Sequence, residues 1–158
     1  MSIVEQNLAK TGLSLPNNDG KLKKGGGNLP YKIFDDLLFI TGLEPTGDDK
    51  KPAFIGRCGK EFTTEEGYKA GRLVGINMLS YIKDALGSLD RVDYFIKVTA
   101  LVSGTDDFIK REQVADGFTD LMTEVFGERG MHTRATYGAT VLNNNVPIIC
   151  DALIKIRD

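Results

Sequence analysis

Residues 130–158 read GMHTRATYGATVLNNNVPIICDALIKIRD, two runs of alternating residues around NNNV. Period-two alternation marks strands. In the first run, Thr133, Ala135, Tyr137, Ala139 and Val141 share one face, and His132, Arg134, Thr136, Gly138 and Thr140 share the other. In the second run, Ile148, Cys150, Ala152, Ile154 and Ile156 oppose Ile149, Asp151, Leu153 and Lys155. Asn143, Asn144 and Asn145 tolerate the positive φ of tight loops, so the two runs are expected to pair as a hairpin. Matching the apolar faces then brings Arg134 and Asp151 together on the other face. That face is too polar for a core and too apolar for plain solvent surface, which suits the floor of a binding site or a subunit interface.

Upstream, the period changes twice. Residues 2–10 form a short expected helix, with Ser2 and Glu5 at capping-box spacing and Gly12 as its stop. Residues 31–33 and 37–41 read as strands about a turn at Asp35 and Asp36, residues 42–52 as a polar loop or hairpin tip, and residues 54–57 as a further short strand. Thr63 and Glu66 open a long helix along Ala70, Val74, Met78, Tyr81, Ile82 and Ala85, and Gly87 closes it. Residues 92–102 alternate as a strand, with Phe95 on the row opposite Val98. Val114, Phe118, Leu121, Met122 and Val125 then form an amphipathic stripe that stops at Gly127 and Gly130. Each helix has one apolar face, so both are expected on one face of a mostly antiparallel sheet in an α+β domain. The other face, with Ile149, Leu153 and Phe95 beside Arg134, is expected to be buried by further copies of the chain.

Composition narrows the function classes. The 158 residues suit a single domain, and a net charge of −2 gives no general attraction to nucleic acid or anionic membranes. No apolar run reaches the ~20 residues of a membrane span, and residues 1–10 lack a signal-peptide pattern. A cytoplasmic protein with Cys58 and Cys150 reduced is expected. A single histidine, His132, and two cysteines do not make a transition-metal ligand set, so no metal is expected. The basic, glycine-rich stretch with Lys21, Lys23, Lys24, Gly25, Gly26 and Gly27 is followed by Asn28, Leu29 and Pro30 instead of a helix, and reads as a loop, not a phosphate cradle.

Five pieces in order resemble the RidA/YjgF family of reactive-intermediate deaminases, also labelled L-PSP endoribonuclease-like, and in particular a longer-chain subgroup. They are LLFITGLEP at residues 37–45, TTEEGYKAGRLVGINMLSYIKDALGSLDRV, VFGERG, the His-x-Arg-x-x-x-Gly block from His132, and the last strand. The likeness begins near Pro30, leaving residues 1–29 as an N-terminal extension of a single domain spanning 1–158.

The resemblance implies a chorismate-mutase-like fold and a homotrimer whose sheets line a central barrel, with ligand clefts between subunits. It implies hydrolysis of 2-imino or 2-enamine acids to 2-oxo acids and ammonia, without metal or organic cofactor. Arg134 matches the family arginine, and a planar guanidinium grips a carboxylate through paired charge-assisted bonds. An inter-subunit salt bridge is the competing role. Thr136 faces the same way. Tyr31 matches the family tyrosine whose hydroxyl would orient a water or the imine, with an ordinary half-buried strand tyrosine as the competing role. Thr41 and Gly42 match further cleft positions, and His132 stands at the rim. The family's glutamate position holds Ile149, which cannot move a proton. Either Asp151 replaces that glutamate, or the protein is a non-catalytic binding module for small 2-oxo or amino acids. Ribonuclease activity finds little support in an acidic chain without an aromatic-interleaved basic patch.

Overall fold

Residues 1–18 and 26–158 are described in the computed structural model; the stretch containing Lys21, Lys23, Lys24 and Gly25 lies outside the described residues. Helix α1 (Ile3–Thr11) is closed at its start by the reciprocal Ser2–Glu5 bonds and at its end by Gly12 in the left-handed conformation. Strands β1 (Tyr31–Phe34) and β2 (Leu37–Leu43) pair about the expected turn. Thr46 and Pro52 then bridge to form a hairpin tip. The Asn77 amide ties that tip to the core, donating to the carbonyls of Glu44 and Thr46 at 3.0 Å each. Helix α2 (Thr64–Leu86) starts from the Thr63–Glu66 capping box and ends at Gly87. Strand β3 (Val92–Ser103), helix α3 (Arg111–Phe126), β4 (Thr133–Ala139) and β5 (Ile148–Ile156) complete the chain. Residues 54–57 are not a strand. Their neighbourhood is held instead by the Gly56 N–H to the Asn145 carbonyl at 2.7 Å and the Cys58 N–H to the Ser103 carbonyl at 3.1 Å.

The strands form one five-stranded sheet in the order β1-β2-β5-β3-β4. Three pairings are antiparallel and β3–β4 is parallel. The expected β4–β5 hairpin does not exist. Helix α3 carries the chain back along the sheet, so β4 starts beside the middle of β3 and runs parallel to it, as strand–helix–strand connections do. Polarity explains the placement. Strand β5, with Ile148, Cys150 and Ile154 fully buried, takes the central position between β2 and β3, while β4, polar along one row, takes the edge. Asn144 and Asn145 do adopt positive φ, 55° and 54°, but within a crossover loop instead of a two-strand turn.

Helices α2 and α3 cover one sheet face as expected. Val74, Met78, Ile82, Val114, Phe118, Leu121 and Met122 are all shielded from solvent against Val98, Ala100, Val102, Ile148 and Ile154. Helix α1 lies outside α3, burying Val4 and donating from Asn7 to the Val125 carbonyl at 3.2 Å.

Two expectations about the opposite face change. Irregularities in β3 between Val92 and Tyr94 and between Phe95 and Lys97 shift its alternation. Phe95 therefore turns into the core, its ring 5.4 Å from that of Phe126, and is absent from the open face. Arg134 is absent from it as well. Ile149 and Leu153 remain there, joined by Phe39 and Tyr137, which are 45% and 58% exposed.

Candidate functional site

Arg134 pairs in register with Val98 on β3, and Val98 pairs with Ala152 on β5, so all three face the helices. Asp151 pairs with Thr99 and accepts its backbone N–H at 3.3 Å on the opposite face. Arg134 and Asp151, expected together, thus lie on opposite faces of the sheet within one chain. The cause is the lost hairpin: β4 and β5 do not touch, and β3 separates them.

The His132–Arg134–Thr136–Gly138 row of β4 instead meets the first three turns of α3. Arg134 Nη1 donates to Asp116 Oδ1 at 3.0 Å and to Thr119 Oγ1 at 2.9 Å. Its Nη2 donates to the Glu112 carbonyl at 3.3 Å and to Glu112 Oε2. The competing salt-bridge role is therefore present, but inside one chain. Glu112 Oε2 also accepts the Thr136 hydroxyl at 3.3 Å. Burial works against the charge on Arg134, yet the bonds from Glu112 and Asp116 outweigh it and raise its pKa above the ordinary arginine value. The guanidinium is a fixed, permanently charged fork with only 13% of its side chain exposed.

His132 anchors the start of this row. Its Nδ1–H donates to the Gly130 carbonyl at 2.7 Å, and its Nε2 lies 3.0 Å from Thr119 Oγ1. Thr119 accepts from Arg134, so its own proton is free to go to His132, which makes the imidazole neutral. Burial between Phe95 and Phe118 is the main cause of a His132 pKa below the usual value, and the Arg134 charge adds to it. The unfolded chain then binds a proton that the native one refuses. Stability is full above the unfolded value of ~6.5 and falls as pH drops through the lower native value. Denaturant melts at about pH 7.5 and about pH 5.5 are expected to show a loss that His132→Gln reduces. The slope stays below the ~1.4 kcal/mol per pH unit limit for one proton, because the unfolded and native chains differ by less than one bound proton at any pH. An equal acid-dependent loss in the variant would remove His132 as the cause.

The other expected site residues are elsewhere. Gly42 lies at the irregularity of β2 opposite β5, where an added Cβ would sit 3.0 Å from Ile149 Cγ2. Close approach to Ile149 explains this glycine, and Thr41 adjoins it. Strand β2 is three strand spacings from β4, or roughly 14 Å. Tyr31, on β1 at the far sheet edge, donates to Asp84 Oδ2 at 3.0 Å. Burial and Asp84 together raise the Tyr31 pKa, so the phenol is a donor and not a base. One chain therefore holds three separate groups: Arg134, Thr136 and His132; Thr41, Gly42 and Asp151; and Tyr31.

Sequence reasoning missed Glu112, Asp116 and Thr119. A signal was available, since they recur at i, i+4 and i+7 on one face of α3. Two like charges at i, i+4 weaken a helix unless a cation from elsewhere joins them. Among the described residues no three His, Cys, Asp or Glu side chains converge as a metal site, and no helix is long and apolar enough to cross a membrane. Cys58 and Cys150 are buried free thiols. Burial pushes the Cys58 thiol up to about 11, despite the nearby Arg111 charge, so it is no ready nucleophile.

A mixed five-stranded sheet with two helices on one face is the chorismate-mutase-like α+β class. The chain belongs to the YjgF family: the model described as "YjgF/chorismate_mutase-like, putative endoribonuclease" matches residues 5–154. It is 30% identical over 156 residues to Protein TCP17 of Trypanosoma cruzi, covering 98% of this chain and 95% of that one. A solved "putative endoribonuclease" from Shewanella oneidensis superposes with a TM-score of 0.90 at 28% identity, over 97% of this chain and 99% of that one. The protein Atu1372 of Agrobacterium tumefaciens, solved as a protein of unknown function, gives 0.87 at 28% identity, over 98% and 92% of the two chains.

Proposed function

We propose that this protein hydrolyses reactive 2-imino or 2-enamine acids to 2-oxo acids and ammonia, in clefts between the subunits of a homotrimer. The observation that carries this reading is the convergence of Arg134 and Thr136 on one carboxylate oxygen, that of Glu112. The pair has the geometry to hold the carboxylate of a small ligand. In the reaction, water adds to C2 of the protonated imine to form a carbinolamine. The nitrogen then takes a proton while the new hydroxyl gives one up, and ammonia leaves as the C2 carbonyl forms. Nothing is oxidised or reduced, so the chemistry calls for positioning and charge stabilisation alone.

The distances support a cleft between copies if Tyr31 and Thr41 belong to the same site as Arg134. Tyr31 and Thr41 reach Arg134 only if another subunit brings its β1–β2 edge to this chain's β4 edge. The apolar open face of Phe39, Ile149, Leu153 and Tyr137 supports such packing.

The test generates 2-iminopropanoate with an amino-acid oxidase and traps it with semicarbazide. Wild-type protein is expected to suppress the semicarbazone signal, and a signal equal to the enzyme-free control over several imino acids would sink the deaminase. Asp151→Asn then locates the proton-handling group. A fall of roughly 100-fold or more gives Asp151 that role, whereas a change of a few-fold leaves catalysis to positioning. A second reading, a non-catalytic module binding 2-oxo or amino acids, is favoured by Ile149, which places a branched hydrocarbon against Gly42 where the family resemblance implies a glutamate.

A further inference from the structure

Arg134 is held by two carboxylates, Glu112 and Asp116. Arg134 and its two carboxylates sum to −1, and Arg111, whose guanidinium lies against Gly138 further along the same row, brings the neighbourhood to about neutral, so an anionic ligand meets occupied donors more than net repulsion. A 2-imino or 2-oxo acid can enter only if one carboxylate gives way.

The two carboxylates differ in how they are held. Asp116 has a short side chain on the second turn of α3, and it binds Nη1 beside Thr119. Glu112 has a long side chain on the first turn and is 65% exposed, against 13% for Arg134. Among the described residues its Oε2 bonds to Arg134 and Thr136. Swung outward, Glu112 regains hydration and rotamer freedom, and it stays at the positive end of the α3 dipole. Arg134 meanwhile keeps Asp116, Thr119 and the Glu112 carbonyl, so the fork does not move.

We infer that Glu112 is a resident competitor for the ligand's carboxylate, a specificity-determining side chain that a 2-imino or 2-oxo acid must displace from Arg134 and Thr136. This rests on the carboxylate-clamp reading of Arg134. Displacement requires a ligand group with the charge and planarity of a carboxylate. A neutral amide or ester lacks the charge to exchange for Glu112, so the device rejects uncharged analogues as well as weakening binding overall. If Glu112 stands aside about one-tenth of the time, apparent affinity is about tenfold weaker than the intrinsic one.

The experiment measures 2-oxobutanoate binding by calorimetry to wild type, Glu112→Gln and Glu112→Ala, with 2-oxobutanamide as the uncharged probe. Imine hydrolysis is followed separately by semicarbazide trapping, and thermal melts check that each variant is folded. Both variants are expected to bind 2-oxobutanoate about tenfold more tightly, with the preference for acid over amide narrowed in Glu112→Gln. Unchanged or weaker 2-oxobutanoate binding in both folded variants would overturn the competitor role, while wild-type hydrolysis would keep the deaminase. Tighter binding with no hydrolysis in any protein would do the reverse. If no protein binds 2-oxobutanoate, the clamp and its competitor both fall.

Discussion

Arg134→Lys is expected to lower kcat/KM for 2-iminopropanoate hydrolysis about 100-fold, or ~2.7 kcal/mol of transition-state stabilisation. Lysine retains the positive charge, so charge alone does not account for the loss. The guanidinium uses Nη1 toward Asp116 and Thr119 and Nη2 toward Glu112. An ammonium is one point donor on a flexible stem and cannot span both directions. It would settle between Glu112 and Asp116, leaving Thr119 without its donor and the ligand carboxylate without the Nη2–H held in place beside the Thr136 hydroxyl. The defect should appear in both KM and kcat, since a loosely held acid places C2 poorly for water attack. Melting should change little, because the variant keeps a cation between the two acids. Activity within about threefold of wild type in the folded Lys variant would show that charge, not bidentate geometry, is what the site needs.

Gly117→Ala is expected to be the most damaging small change to the fold. An added Cβ would lie 2.0 Å from the Tyr68 carbonyl oxygen and 2.9 Å from the Arg72 nitrogen, both backbone atoms of α2. Backbone cannot rotate away as a side chain can, so α2 and α3 must separate. Overpacking of this kind costs about 3 kcal/mol, and the better helix propensity of alanine returns no more than ~1 kcal/mol. For a chain of this size, a net loss of ~2 kcal/mol lowers Tm by roughly 4–8 °C. Gly75→Ala is the internal comparison. There the nearest atom is a Leu121 methyl at 3.0 Å, which can shift, so the cost should stay under about 1 kcal/mol. Equal melting of the two variants would mean that the helix pair is less tightly fitted than these distances state. The consequence reaches the site, because Gly117 sits between Asp116 and Thr119 in sequence, and moving α3 moves the partners of Arg134.

Local patterns were legible wherever the cause is local. The capping boxes at Ser2–Glu5 and Thr63–Glu66 and the stops at Gly12 and Gly87 appear where the residues call for them. The two amphipathic stripes bury the side chains named from their spacing, except Tyr81 and Ala85, which are half-buried against the core. Strand order was not local in this sense. Residues 133–141 and 148–156 look like a hairpin because both alternate about a turn-forming asparagine triplet. Pairing depends instead on which neighbour buries more apolar surface, and β5 finds two such neighbours in β2 and β3. The bulges in β3 were equally invisible, yet they decide that Phe95 belongs to the core.

The sequence by itself determined the helices, most of the strands, the helix-covered face and the family, and it marked Arg134 as a candidate, because periodicity, caps and a short motif are properties of neighbouring residues. Only the tertiary structure decided what Arg134 meets. Its partners Glu112, Asp116 and Thr119 stand 22, 18 and 15 residues away and are brought to it because β4 runs parallel to β3 and back along α3 in the opposite direction to the helix. Asp151, 17 residues beyond it by the same numbering, ends on the opposite face because β3 comes between the two strands. Whether two polar side chains share a site is settled by sheet order and pleat, and both are set by long-range burial that no short stretch of sequence contains.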